Sequence, residues 1–228
     1  MMFGLICIAV VVGCSVAEQL CPPASWRAEE VSAALFLPKV DHEYQPRREE
    51  DHALVYYDAD QQKTALVANY SGATGNGDIK IIYDYAAKKE YRIDLAKNTC
   101  KSKALTDPFK KWCISDDATF LYDAKIGFSS DGSDTVTAKV YYVENVYSSH
   151  TIGHVIAITS DLNVPVQSST FGRGGDLYLD IALTGNIASP IPEADANVFT
   201  PPDSCSSSYF PEEELEVLRV GALRRLFQ

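Results

Sequence analysis

The sequence LYLDIAL at residues 177–183 shows the strictest alternation in the chain: Leu177, Leu179, Ile181 and Leu183 take every second position. Successive side chains of a β-strand point to opposite faces, so this pattern predicts a half-buried strand and excludes an amphipathic helix. The rest of the fold is inferred by finding the same period elsewhere.

Four other segments repeat the alternation, and glycine-rich or polar turns separate them. The alternating sets are Ile79, Ile81, Tyr83 and Tyr85; Tyr91, Ile93 and Leu95; Val136, Ala138, Val140 and Tyr142; and Ile152, His154, Ile156 and Ile158. The turns are residues 72–77, 129–134 and 172–175, and earlier strands are expected at 26–37, 52–58 and 64–70. Roughly ten strands at this spacing predict a mostly β, antiparallel domain. The sequence has no alternation of strands and helices of the kind that would predict a parallel sheet.

The amino terminus predicts secretion. Residues 2–13 form a nearly unbroken apolar run, and Ser15 and Ala17 are small residues where a signal peptidase cleaves. Residues 1–17 are therefore predicted to be a signal peptide, since the run is shorter than the ~20 residues of a membrane-spanning helix. No other segment predicts a transmembrane anchor. The expected localisation is secreted and extracellular.

Cysteine usage agrees with that compartment. Removing residues 1–17 takes away Cys7 and Cys14 and leaves Cys21, Cys100, Cys113 and Cys205 of the six cysteines. Four cysteines in a protein outside the cell predict two disulfides, and four cysteines can pair in three ways. None of the spacings resembles a zinc site.

Charge and motifs exclude several functions. A net charge of −11 argues against nucleic acid as a partner. The chain lacks the G-x-S-x-G and P-loop motifs, and His150 and His154 lie roughly 13 Å apart on a strand. We therefore expect a protein that is not an enzyme and needs no cofactor. Residues 131–134, DGSD, offer oxygen ligands for calcium, but they lack the order of an EF-hand loop, so a solvated turn is the preferred interpretation and no residue is assigned to a metal site.

The carboxyl terminus differs from the rest. From Pro211 onward, acids come first, arginines follow, and Leu215, Leu218, Ala222 and Leu226 fall at helical spacing. The predicted organisation is a signal peptide at 1–17, a β-domain at 18–205, and a linker with a short amphipathic C-terminal helix at 206–228.

Several motifs, in order, resemble the ependymin-related family. They are Cys21-Pro22-Pro23 with Trp26, Tyr91-Arg92-Ile93-Asp94 with Asn98-Thr99-Cys100, Ala118-Thr119-Phe120 leading to Ile126-Gly127, Pro165-Val166, and Phe199 to Cys205. The resemblance covers residues 21–205. It implies two stacked, curved antiparallel sheets that form a half-open barrel with an apolar pocket, like bacterial carriers of the LolA type. It also implies that Cys100 pairs with Cys205, which leaves Cys21 with Cys113.

The resemblance gives two functional hypotheses. The first is a secreted, non-enzymatic protein, expected to be a homodimer, that holds an amphipathic or acyl-chain lipid in its pocket, with calcium binding possible. The second is a calcium-responsive extracellular matrix or cell-adhesion glycoprotein without a lipid-carrier role. For the first, the predicted lining residues are Ile81, Tyr83, Tyr91, Ile93, Val140, Tyr142, Ile156, Ile158, Leu179 and Ile181.

The sequence predicts one glycosylation site, at Asn69. Asn69-Tyr70-Ser71 is the only N-x-S/T sequon in the chain and adjoins a glycine-rich turn, so we expect an N-linked glycan there. Amidase treatment of the secreted protein should increase its gel mobility, and Asn69→Gln should migrate like the treated protein. Equal mobility of wild type and Asn69→Gln before treatment would show that the sequon is unused.

Overall fold

Strands make up most of the protein in this computed structural model. It describes residues 20–37, 39–40, 43–44, 47–72, 75–127, 135–146, 151–173 and 177–207. The predicted signal peptide, the possible calcium loop at 131–134 and the predicted helix from Pro211 lie outside these residues. The strands are β1 Ser25–Leu37, β2 Lys39–Val40, β3 Glu43–Tyr44, β4 Arg47–Asp58, β5 Lys63–Gly72, β6 Gly75–Asp84, β7 Lys89–Asp94, β8 Thr99–Ala104, β9 Thr119–Ile126, β10 Val136–Val146, β11 Thr151–Thr159, β12 Pro165–Arg173, β13 Leu177–Ala188 and β14 Ser206–Ser207.

Three hairpins share one turn chemistry. An aspartate at the end of a strand accepts a hydrogen bond from the backbone N–H three residues later, at 2.8 Å in each case. The acceptors are Asp58, Asp84 and Asp94, and the donors are Gln61, Ala87 and Lys97. The residue after each donor has a positive φ, between 51° and 54°, because the chain reverses its direction there. These residues are Gln62, Lys88 and Asn98. These local bonds help to set the register of the β4–β5, β6–β7 and β7–β8 pairs.

The main sheet is continuous. Twelve strands follow the order β14-β8-β7-β6-β5-β4-β1-β13-β12-β11-β10-β9, and all neighbours are antiparallel except β14, which runs parallel to β8. The mostly β, antiparallel prediction is confirmed. The expected pair of stacked sheets is not found among the described residues, because β1 pairs with both β4 and β13 and so joins the two halves by hydrogen bonds. Over the described strands the sheet does not close, since β9 and β14 do not pair with each other.

One face of the sheet carries the main core, and we call it the inner face. Its buried cluster includes Trp26, Val55, Ile81 and Ile158 from strands that are widely separated in the sheet order. Residues 105–118, the connection between β8 and β9, contribute Trp112 and Ile114 to the same cluster. The shared cluster indicates that the sheet curves around this connection, because packed side chains must touch within about 4.5 Å.

Two disulfides and one buried hydrogen bond fix the connection and the chain end. The structure pairs Cys21 with Cys113 and Cys100 with Cys205, which is the pairing that the resemblance implied. Trp112 donates its backbone N–H to the hydroxyl of Tyr57 at 3.2 Å. On the opposite, outer face, Phe199 of the segment before Cys205 packs on the β6–β8 region.

The bond between Tyr57 and the connection gives a stability prediction. Tyr57→Phe leaves the buried N–H of Trp112 without its acceptor, so the free energy of unfolding should fall by about 1–3 kcal/mol. Tyr56→Phe is the matched control, because Tyr56 is buried on the outer face. Urea unfolding followed by circular dichroism measures both. Equal losses in the two variants would show that this bond does not stabilise the connection.

Candidate functional site

A cavity of about 220 Å³ lies on the inner face, between residues 112–115 and strands β10 to β12. Cross-strand pairing explains its composition, because residues that are paired across an antiparallel sheet lie on the same face. Val143, His154 and Thr170 form one row, and Tyr141, Ile156 and Ser168 form the next. The lining residues are Trp112, Cys113, Ile114, Ser115, Val143, Asn145, His154, Ile156, Pro165, Ser168 and Thr170.

The cavity has sides of different character. Trp112 and Ile114, both buried, form what we call the apolar roof. On the sheet side, His154, Ser168 and Thr170 lie among the apolar side chains of Val143, Ile156 and Pro165. We call these three polar residues the polar floor. A site with this division can bury apolar atoms against one side while it offers hydrogen bonds on the other.

The polar floor is built from well-buried groups. The side chains of Thr170 and Ser168 belong to residues that are only 2% and 7% exposed. His154 Nδ1 lies 3.1 Å from Thr170 Oγ1. Among the described residues, Ser168 Oγ has no hydrogen-bond partner. Burying a hydroxyl without a partner costs free energy, so a ligand that bonds to Ser168 would recover that loss.

Carboxylates lie on the same face, beyond the floor. Asp180 of β13 pairs directly with Thr170 in the register and is 1% exposed. Glu30 and Asp51 are also buried on this face, on β1 and β4. The inner surface therefore becomes more acidic from the cavity toward the centre of the sheet.

Tyrosines add no charge to this face at neutral pH. Burial raises the pKa of Tyr57 and of Tyr141 above the ordinary value for a phenol. Burial, reinforced by the charge of Asp107, raises the pKa of Tyr85 to about 12. All three phenols stay protonated and act as hydrogen-bonding or apolar groups.

The structure does not bring the ten predicted lining residues together. Ile156 alone lines the cavity; Ile81 and Ile158 are in the inner core, and Tyr83 packs against it. The other six lie on the outer face: Tyr91, Ile93, Val140, Tyr142, Leu179 and Ile181. The physical reason is that alternation in the sequence assigns residues to two opposite faces of a strand but does not determine which face is turned inward.

Sequence reasoning missed the polar floor and the roof. Ser168 and Thr170 occupy inner positions of β12, but small polar residues there look like those of a solvated face. Trp112 and Cys113 had a usable signal, because a tryptophan and a cysteine inside a connection are residues that proteins bury.

The outer face has an exposed apolar surface, which we call the outer strip. It lies on β1 and β13, where Val31 pairs with Leu183 and Leu35 pairs with Leu179. Exposure ranges from 38% to 56% over its members, which are Val31, Leu35, Leu179, Ile181 and Leu183. Contiguous apolar surface of this kind commonly marks an interaction site.

The described residues contain neither a metal-binding cluster nor a membrane-spanning helix. Within the described ranges, no cluster of three His, Cys, Asp or Glu side chains is placed to hold a metal ion. His154 is in β11 as expected, whereas His150 lies outside the described residues. No helix in the described part of the chain has the length and apolar character to cross a bilayer.

Solved structures that align with most of this chain share little sequence with it. An uncharacterised conserved protein from Thermus thermophilus is 9% identical, with a TM-score of 0.42, over 79% of this chain and 89% of its own. A putative outer membrane lipoprotein-sorting protein domain from Vibrio parahaemolyticus is 9% identical, with a TM-score of 0.28, over 74% and 88%. A LolA superfamily protein from Nitrosomonas europaea is 9% identical, with a TM-score of 0.28, over 78% and 92%.

The family comparison is more specific. No curated protein matches the chain significantly. The family model described as Ependymin matches residues 74–205, which include β6 to β13 and the cavity. This match agrees with the motifs at Tyr91–Cys100 and Phe199–Cys205. Since it spans more than half of the 228 residues, the protein belongs to the ependymin family.

Proposed function

We propose that this protein is a secreted, non-enzymatic binding protein that holds part of an amphipathic lipid in the inner-face cavity. The observation that carries the proposal is the cavity itself, with the apolar roof opposite the polar floor. An amphipathic ligand bonds to Ser168 while it buries apolar atoms against the roof, whereas a wholly apolar ligand would leave Ser168 Oγ buried without a partner.

Size limits what the cavity can hold. By proportion with a cavity of about 150 Å³ that binds benzene, the volume of about 220 Å³ takes eight or nine carbon atoms. Burial of eight methylenes contributes roughly 6 kcal/mol before the costs of association. We therefore expect a single-chain ligand, or one end of a larger lipid, with an affinity weaker than micromolar unless other surfaces contribute.

Secretion and the absence of catalysis are part of the same proposal. The apolar run at residues 2–13 and the two disulfides suit an oxidising, extracellular compartment. The pair His154 and Thr170 has the contact of a base and a hydroxyl nucleophile. In the sheet, Asp180 pairs with Thr170, and Thr170 pairs with His154, so the acid is next to the hydroxyl and not next to the base. In a catalytic triad the acid is next to the base and orients it.

We further propose that a second copy of the chain covers the outer strip. Arg48 and Glu50 of β4 form an exposed ion pair and lie beside Leu35 and Ala33 of β1 in the register. A two-fold axis through the outer strip would bring Arg48 of each copy toward Glu50 of the other, with apolar surface between them. Such self-complementarity is what an isologous dimer requires.

Calcium binding stays within the proposal as a property of residues 131–134. Calcium would favour the matrix or adhesion role if the dimer formed only with the ion present. Sedimentation with calcium and with a chelator distinguishes the two roles, because a lipid-binding dimer needs no ion at the outer strip.

Filling the cavity should block binding. The phenyl ring of the neutral fluorescent probe N-phenyl-1-naphthylamine fits the cavity, while its naphthyl group stays outside. Val143→Trp places a large side chain in the cavity wall, so the affinity for the probe should fall at least tenfold. Val136→Trp is the control, since Val136 is on the same strand but 39% exposed and outside the cavity lining. Probe titration measures both. Wild-type protein that binds no probe, or equal binding by Val143→Trp, would overturn the proposed site.

Charging the outer strip should separate the dimer. Ile181→Lys introduces a cation at a side chain that is 41% exposed, so the mass by light scattering should halve without a lower melting temperature. Leu121→Lys is the matched control, because Leu121 is 44% exposed but on β9. A monomeric wild-type protein, or dissociation by Leu121→Lys alone, would contradict the assignment of the outer strip.

A further inference from the structure

The described lining of the cavity offers no fixed cation that could balance an anion. None of these residues is lysine, arginine, aspartate or glutamate, and among them His154 is the only one that can carry a positive charge. His154 Nδ1 is already placed against Thr170 Oγ1 at 3.1 Å. A phosphate or carboxylate in this cavity would lose its hydration without gaining a fixed cation, which is costly.

The neighbouring strand makes an anion still less favourable. Asp180 is directly across from Thr170, and paired residues have their Cβ atoms about 5 Å apart. Glu30 and Asp51 extend the acidic surface on the inner face. The whole chain carries a net charge of −11, which repels anions at longer range as well.

The polar floor offers hydrogen bonds in place of charge. Ser168 is 7% exposed, lines the cavity, and has no partner for its hydroxyl among the described residues. A hydroxyl, amide or amine of a ligand could bond to Ser168 and Thr170 without bringing a negative charge beside Asp180.

From this arrangement we infer that the cavity selects the head group of its ligand by charge. It takes a neutral or cationic group that donates hydrogen bonds, and it rejects phosphate and carboxylate. This inference rests on the proposed binding function, because it assumes that the cavity holds the polar end of an amphiphile. It adds the chemical class of the ligand and assigns Ser168 as its hydrogen-bonding contact.

Four amphiphiles with the same alkyl length test the inference: monolaurin, dodecylamine, lauric acid and dodecyl phosphate. Each is titrated below its micelle concentration at neutral pH, against protein loaded with N-phenyl-1-naphthylamine. We expect monolaurin and dodecylamine to displace the probe with at least tenfold higher affinity than either anion. Equal or tighter binding of the anions would overturn the charge selection.

The displacement experiment distinguishes a wrong charge selection from a wrong binding function. If the probe itself does not bind, the binding function is wrong. If the probe binds and all four amphiphiles displace it equally, the function stands and only the charge selection is wrong.

Substitutions locate the selection within the cavity. Ser168→Ala should lower the affinity for monolaurin by about three- to tenfold relative to its effect on the probe, as expected for one lost hydrogen bond. Ser32→Ala is the matched control. Its hydroxyl also lacks a partner among the described residues and is 1% exposed on the inner face, but Ser32 does not line the cavity. Equal effects of the two variants would exclude Ser168 as the contact.

Asp180→Asn tests the electrostatic part. It should reduce the preference for dodecylamine over lauric acid at least threefold, because it removes the carboxyl group that the register places across from Thr170. The ratio of the affinities for the two ligands, measured on one protein preparation, does not depend on the fraction of active protein. A partly unfolded variant therefore still gives a valid measurement. An unchanged ratio would show that Asp180 does not contribute to selection.

Discussion

The pairing of β1 with two partners is the constraint on which the rest of the structure depends. β1 pairs with β4 on one side and with β13 on the other, with a register bulge near Arg27 only on the β13 side. Each half is otherwise a meander of neighbouring strands, whose turns form locally. Joining them demands contacts between residues more than a hundred positions apart, such as Val31 with Leu183. Such contacts cost loop-closure entropy, and the two disulfides reduce that cost because they constrain the unfolded chain.

A single curved sheet leaves an inner face that must be covered, and the connection at residues 105–118 covers it. Trp112 and Ile114 fill the centre, Tyr57 accepts the N–H of Trp112, and Cys113 is bonded to Cys21. The connection shares a buried core with β4 to β6, whereas a cavity separates it from β10 to β12. The roof of this cavity is held in place by the core and by the disulfide between Cys21 and Cys113.

Much of this fold follows from local sequence. The alternation at 177–183 predicts β13, and the aspartates at strand ends explain the hairpins, because a carboxylate can bond the third N–H of a turn. The orientation of the faces does not follow. Ile181 and Val140 look like pocket residues by period, yet they lie on the outer face, since both faces of these strands carry apolar side chains. Ser168 and Thr170 gain their importance only from the roof, which is distant in sequence.

The two faces of the sheet differ in charge as well as in burial, and this difference separates their roles. The inner face buries carboxylates, which is costly, and a protein retains such groups where they serve specificity. The five members of the outer strip are apolar, and charged side chains lie on its margin, at Arg48 and Glu50 on β4 and at Glu29 on β1. Asn69 is exposed on the outer face of β5, where its side-chain amide donates to Asp78 at 2.7 Å. β5 is two strands away from β1 in the sheet order, so a glycan there would border the outer strip. It would leave β1 and β13 as the part of the outer face that is open to a second chain, while the inner cavity on β10 to β12 stays accessible to a ligand.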